Sequence, residues 1–191
     1  MAGVLVILGA QQVLPIQPPG TVAAFFGMAV PGRAPGEWSH ACVLSTTDPT
    51  GDLEPILASE RREPQHPSFF VAEALAPALG AVARPGSPPR ARSLVFSNAV
   101  AGREEEFNSW YSDRHVHDVL KTPGYLTAQR FRLLDHPRLR PSPWRYLAIY
   151  EIALGWYEAA VAETAGRSGT PLMPISEAAQ RPMSAHYTPQ V

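Results

Sequence analysis

Short apolar runs separated by proline-rich breaks organise this chain, and two periods recur in the runs. Val4–Gly9, Val22–Val30 and Trp38–Thr46 have strand length and composition, and Asp52–Glu60 has a helical pattern. Phe69–Leu79 reads as a further helix beside the next break. The second half parses more cleanly. Ser93–Val100 reads as a strand, and Arg103–Leu120 as a helix opened by three glutamates that suit the positive end of the helix dipole. Pro123 and Gly124 stop that helix. Tyr125–Leu134 alternates as a strand, Asp135–Pro143 is a polar loop, and Trp144–Ile152 is a third strand. Gly155–Ala165 reads as a second helix ended by Gly166, and Met183–Val191 as the last strand.

The order β-α-β-β-α-β in the second half is the ferredoxin-like arrangement. The first half reads as a degenerate copy that has lost its first helix. ACVLSTTDPTGDLEPILA and LAIYEIALGWYEAAV share the order apolar strand, turn, acidic helix. The fold class expected is α+β, built from two ferredoxin-like units. Prolines number 21 in 191 residues, about twice the usual share of ~5%. They punctuate the elements, because proline continues neither a helix nor a central strand. The strongest break, Ala83–Arg92, places a linker at 85–92, between an N-terminal half (1–84) and a C-terminal half (93–191).

Charge narrows the classes of partner. Sixteen Lys and Arg are balanced by 17 Asp and Glu. No basic run supplies the positive field that nucleic acid requires. Cys42 is the one cysteine, which rules out an intramolecular disulfide and favours a reducing compartment. Its place in a strand reads as a buried thiol. The apolar start lacks the basic residues of a signal peptide, so it reads as a first strand. No apolar run reaches the ~20 residues of a membrane span. A cytoplasmic protein without membrane or nucleic-acid partners is the expectation.

Chemistry concentrates in Glu104–Leu133. On a helix at about 100° per residue, Phe107, Tyr111, His115 and Asp118 form one stripe, with Trp110, Arg114 and His117 beside it. A histidine there exchanges protons near neutral pH. Asp113 or Asp118 would orient its ring, and Tyr111 would hold a substrate oxygen. The plainer reading is that His115 caps the helix C-terminus, and that Asp113 and Arg114 are surface charges. His117, two residues on, does not share His115's face. A metal site would need His40, His66, His136 or His186 to converge, yet no HExxH or CxxC spacing is present, so no metal is expected. GxGxxG, phosphate-loop and GxSxG patterns are also absent.

The run FNSWYSDRHVHDVLKTPGYLTAQRFRL resembles the dimeric α/β-barrel superfamily, most closely its EthD-like branch. Trp110, Tyr111, His115, Leu120, Pro123 and Gly124 carry the resemblance, and His117 departs from it where relatives commonly have proline. The resemblance implies two curled sheets enclosing a barrel pocket, with the units supplied by one chain or by a homodimer. Strand alternation then directs Tyr146, Ala148 and Tyr150 inward, joined by Phe96, Asn98, Gln129 and His186, and directs Leu147 and Ile149 to the helices. An aromatic core or a dimer interface would show the same pattern.

The function expected is a cofactor-independent cyclase, dehydratase or isomerase acting on an aromatic or polyketide-type small molecule. His115 is its general acid/base, Asp118 tunes that ring, and Tyr111 or Asn98 faces the oxyanion. Phe96, Asn98, Trp110, His117, Gln129, Tyr146, Tyr150 and His186 would contact the substrate. Two alternatives stand beside it: a haem-dependent or oxygen-using enzyme on the same scaffold, and a non-catalytic small-molecule-binding or assembly module.

Overall fold

The computed structural model describes residues 2–10, 18, 20–59, 68–84 and 86–190. His66, and Glu60 and Val191 at the ends of two expected elements, lie outside them. The N-terminal unit runs β1 (Gly3–Gly9), β2 (Thr21–Ala29), β3 (His40–Thr46), α1 (Leu53–Ser59) and β4 (Ser68–Ala74). A two-residue strand, β5 (Leu79–Gly80), precedes the C-terminal unit. That unit runs β6 (Arg90–Ala99), α2 (Glu104–Trp110), α3 (Val116–Leu120), β7 (Tyr125–Leu134), β8 (Tyr146–Ala153), α4 (Tyr157–Arg167) and β9 (Ala179–Pro189).

The strand order is β4-β1-β3-β2 in the first unit and β9-β6-β8-β7 in the second. Position for position these are the same ferredoxin-like order. Two antiparallel seams join the units within one chain. Gly27–Ala29 of β2 pair with Tyr187–Pro189 of β9, and Val71–Ala74 of β4 pair with Phe131–Leu134 of β7. The result is a closed eight-stranded antiparallel barrel with few helices.

Several boundaries differ from expectation. Phe69–Leu79 is not a helix. Most of it is β4, whose Phe70 and Ala72 point inward while Val71 points out. Its composition suits either period, and the two open edges of β1 and β7 decide for a strand. β6 starts at Arg90, inside the expected linker, because Ala91 is fully buried under Ile152 and Tyr157. α4 runs through Gly166 to Arg167. Pro123-Gly124 does end its helix. Gly124 has φ +96°, and a Cβ there would come within 2.8 Å of the Trp156 Cβ.

The barrel interior is filled, as eight strands just allow. Alternate residues of all eight strands form one core, from Val6 and Val43 to Leu94, Leu147 and Tyr187. Trp38, Phe70, Phe96 and Trp144 interlock there, with ring centroids 4.9–6.4 Å apart. On the same inner face Glu151 pairs with Arg90 (2.8 Å) and Arg92 (2.9 Å), and Arg92 lies over Phe25 at 4.5 Å. The expected barrel chamber is therefore a packed core.

Candidate active site between helix and sheet

The face assignment of β8 is the reverse of the expected one. Leu147 and Ile149 enter the barrel, while Tyr146, Ala148 and Tyr150 lie under the α2–α3 helix. Alternation defines two faces and not which one is inner. Hydroxyl groups decide it here. Tyr146 Oη donates to Glu104 and accepts from Asn108 Nδ2 at 3.0 Å, and Tyr150 Oη donates to Tyr111 Oη at 3.4 Å. Those partners sit on the helix, whereas Leu147 and Ile149 meet mainly apolar and aromatic groups in the barrel.

The helix itself is not regular. Between α2 and α3, Tyr111–His115 form a π-helical turn in which the Val116 N–H reaches the Tyr111 carbonyl. Five residues span about 140° of excess rotation on an α-helix. The widened turn instead lets Tyr111 and Val116 both bury against the sheet. Such turns recur at functional sites, and this one carries two of the expected catalytic residues.

His115 is half-buried at the edge of the helix. Its ring stacks on Trp110 (4.7 Å, 28°) and meets the edge of Tyr111 (4.9 Å, 83°). Its Nδ1 is buried and has no hydrogen-bond partner among the described residues. Burial lowers its pKa to about 4, against the opposing pull of Asp118, and the Arg130 charge adds to the lowering. The ring is therefore neutral at pH 7. Asp118 is buried and accepts from Lys121 Nζ (2.9 Å) and Arg114 Nε (3.4 Å). Those bonds, Lys121's foremost, hold its carboxyl below the usual range. Its effect on His115 is through charge alone.

The residue that sequence reasoning missed is Arg130, on the helix-facing side of β7 and 5% exposed. It donates to Ser112 Oγ (2.6 Å), Asn108 Oδ1 (2.9 Å) and the Asn108 carbonyl (3.2 Å). Its guanidinium lies 4.4 Å over Tyr111, with Phe107 and Tyr146 at 5.4 and 5.6 Å. None of its bonds goes to a carboxylate. A buried charge normally demands an opposite one. The available signal was an arginine between buried Ala128 and Phe131 in a half-covered strand.

The remaining expected residues scatter. Phe96 is in the barrel core, and Gln129, on the same inner face, donates to the Ala76 carbonyl at 3.1 Å. Asn98 does not face the site. Its amide donates to the Pro143 carbonyl and accepts from the Arg145 N–H, both at 2.8 Å, which holds the start of β8. His117 is exposed. Trp110 donates to the Pro174 carbonyl at 3.2 Å. His186 is a core histidine between sheet and α4, with Nδ1 against Tyr157 Oη (3.0 Å) and Nε2 against Ser93 Oγ (3.2 Å). Burial, aided by Arg33, lowers its pKa to about 4.

Among the described residues no cluster of three His, Cys, Asp or Glu is placed to hold a metal. A haem would need a histidine nitrogen facing open space. Both nitrogens of His186 are engaged, and a tetrapyrrole at His115 would have to displace Trp110 and Tyr111. At His115 and at His186 the residues present do not fit that group. No helix among the described residues is long and apolar enough to cross a membrane.

No family model and no curated protein matches the chain. Solved structures do. An anthrone oxidase-like protein matches with TM-score 0.57 and 15% identity, over 100% of this chain and 91% of that one. A candidate monooxygenase from Fusobacterium nucleatum matches at 0.53 and 8%, over 98% and 91%. A dimeric chlorite dismutase from Nitrobacter winogradskyi matches at 0.50 and 11%, over 98% and 99%. The likeness is one of fold, that of ferredoxin-like α/β-barrel proteins.

Proposed function

We propose that this chain is an acid/base enzyme that needs no bound cofactor and acts on a flat aromatic or polyketide-type small molecule. The substrate is held between the helix Glu104–Leu120 and the outer face of the C-terminal sheet. The observation that carries the reading is the pairing of an unpartnered imidazole nitrogen on His115 with a guanidinium on Arg130 that bonds no carboxylate, both walled by aromatic rings. The aromatic pair, His115, Leu120 and the Pro123-Gly124 stop also support the EthD-like branch.

The chemistry follows from the two groups. Neutral His115 accepts a proton from an acidic C–H beside a carbonyl. The electron pair left behind moves onto the carbonyl oxygen, and Arg130 stabilises that oxyanion, helped by the Tyr150–Tyr111 hydroxyl pair. A preorganised cation aimed at developing charge in a dry site is usually the largest catalytic contribution. Return of the proton to another atom completes an isomerisation. Its delivery to a β-hydroxyl that departs as water gives dehydration. Addition of the carbanion to a second carbonyl of the same molecule, whose C=O π bond breaks and whose oxygen takes the proton, gives cyclisation.

Anthrone tests this directly, because its methylene proton is exchangeable and its enolate is aromatic. In D2O under argon the protein should accelerate exchange at that methylene, and His115→Gln and Arg130→Met should each abolish the acceleration. Exchange at the buffer rate, or exchange indifferent to both substitutions, removes the assignment. The structural neighbours described as anthrone oxidase-like and monooxygenase favour a second reading, in which dioxygen consumes the same carbanion. Oxygen uptake with anthrone in air, absent in His115→Gln, separates the two.

A further inference from the structure

Residues 168–178, between α4 and β9, form a strap beside Trp110. From Ala162 to Glu177 one residue alone is buried, Met173 at 1% exposure, and it belongs to the same cluster as Phe107, Tyr111 and Tyr150. Its neighbours Leu172 and Ile175 are about 60% exposed (61% and 59%). The strap is bonded mainly to itself. The Gly169 N–H donates to the Met173 carbonyl (2.9 Å), the Met173 N–H to the Thr170 carbonyl (3.0 Å), and Ser168 bridges Met173. Gly169 has φ +79°, and a Cβ there would meet nothing nearer than 4.0 Å, so the turn is uncrowded. Near Met173 the strap's tie to the helix is the bond from Trp110 Nε1 to the Pro174 carbonyl, and Trp110 is the ring on which His115 stacks. Further along, Ser176 bonds Glu106, and Glu177 lies 3.9 Å from Arg103 at the helix start.

We infer that Met173 is a specificity-determining residue: an internal plug that occupies the place of a substrate ring and leaves with the strap when substrate enters. The inference rests on the helix–sheet site proposed above. Methionine suits this role, because its unbranched thioether fills an irregular gap without a fixed shape. The exposed Leu172 and Ile175 flank the plug and are placed to cover a bound aromatic ring once the strap resettles. Lifting the Thr170–Ile175 part of the strap, with the Ser176 and Glu177 contacts as its hinge, breaks the Trp110–Pro174 bond and frees Trp110, which couples opening to the stacked His115.

The test uses 1,8-dihydroxyanthraquinone, which has the size of the expected substrate but no exchangeable methylene. Its binding to wild type, Met173→Ala, Met173→Leu and Met173→Trp is measured by titration calorimetry. If the plug leaves space in only about 1–10% of molecules, its removal tightens apparent affinity about 10- to 100-fold in Met173→Ala. Met173→Leu should stay within about threefold of wild type, and Met173→Trp should bind at least about tenfold more weakly. Thermal melts confirm that each variant is folded. Equal affinities across the series, or no binding by any member, overturn the inference. An affinity series that moves while anthrone exchange is absent keeps the plug and removes the acid/base chemistry; catalysed exchange with a flat series does the reverse.

Discussion

The two halves of the barrel share one strand order and differ in what lies against their outer faces. In the N-terminal unit that face is aliphatic: Leu5, Ile7, Cys42, Leu44 and Val71 meet Leu53 and Ile56 of α1. In the C-terminal unit a further helix, α2–α3, which has no counterpart in the N-terminal unit, covers Tyr146, Tyr150 and Arg130, with Tyr111 on its underside and His115 at the rim. The shared strand order is therefore silent about chemistry. What separates scaffold from candidate site is the presence of polar atoms beneath a helix, each of which must find a partner or wait for one.

The largest expected effect breaks the comparison most directly. His115→Gln should lower turnover about 10²–10⁴-fold, the usual worth of general acid/base catalysis. Cys42→Ala, in the N-terminal interface, should leave turnover per folded molecule unchanged. Next comes stability. Leu44→Ala in the aliphatic interface should cost about 2–5 kcal/mol in urea unfolding, as buried leucine truncations do.

Acid should act through the C-terminal unit. His115 and His186 are both held to about 4, below their ordinary 6.5. Between those values the unfolded chain binds protons that the folded chain refuses. Stability is thus complete above about pH 6.5 and falls as pH drops toward 4. The buried His186 alone accounts for up to about 3 kcal/mol, at roughly 1.4 kcal/mol per unit. Urea unfolding across pH 4–7 should show this slope, and His186→Gln should flatten it. The smallest effect is chemical. Burial pushes the Cys42 thiol up to about 12, with Arg92 pulling weakly the other way, so iodoacetamide should not label the native protein at pH 8.

Most of the frame was legible in the sequence. Prolines and the Pro123-Gly124 stop marked element ends, and periodicity gave the β-α-β-β-α-β order, because both are local properties. The segment that carries the site was also legible, from the density of titratable groups after Glu104. Three things were not. Which face of β8 turns inward depends on partners brought by a distant helix. The π turn at Tyr111–His115 has no local marker, since each residue there suits an ordinary helix. Arg130 gave only a faint signal, an arginine in a half-covered strand, because its meaning lies in bonding Asn108 and Ser112 rather than a carboxylate in three dimensions. β4 was misread for a related reason, as its pattern fits a helix until two strand edges claim it.

Closure of the barrel inside one polypeptide has a further consequence. When two identical subunits supply the halves, each substitution is felt twice, in symmetry-related places. Here Gly27–Ala29 with Tyr187–Pro189, and Val71–Ala74 with Phe131–Leu134, join halves encoded separately. A change that suits one half is never imposed on the other. A single gene copy of this kind can keep one side merely solid while the other explores reactions.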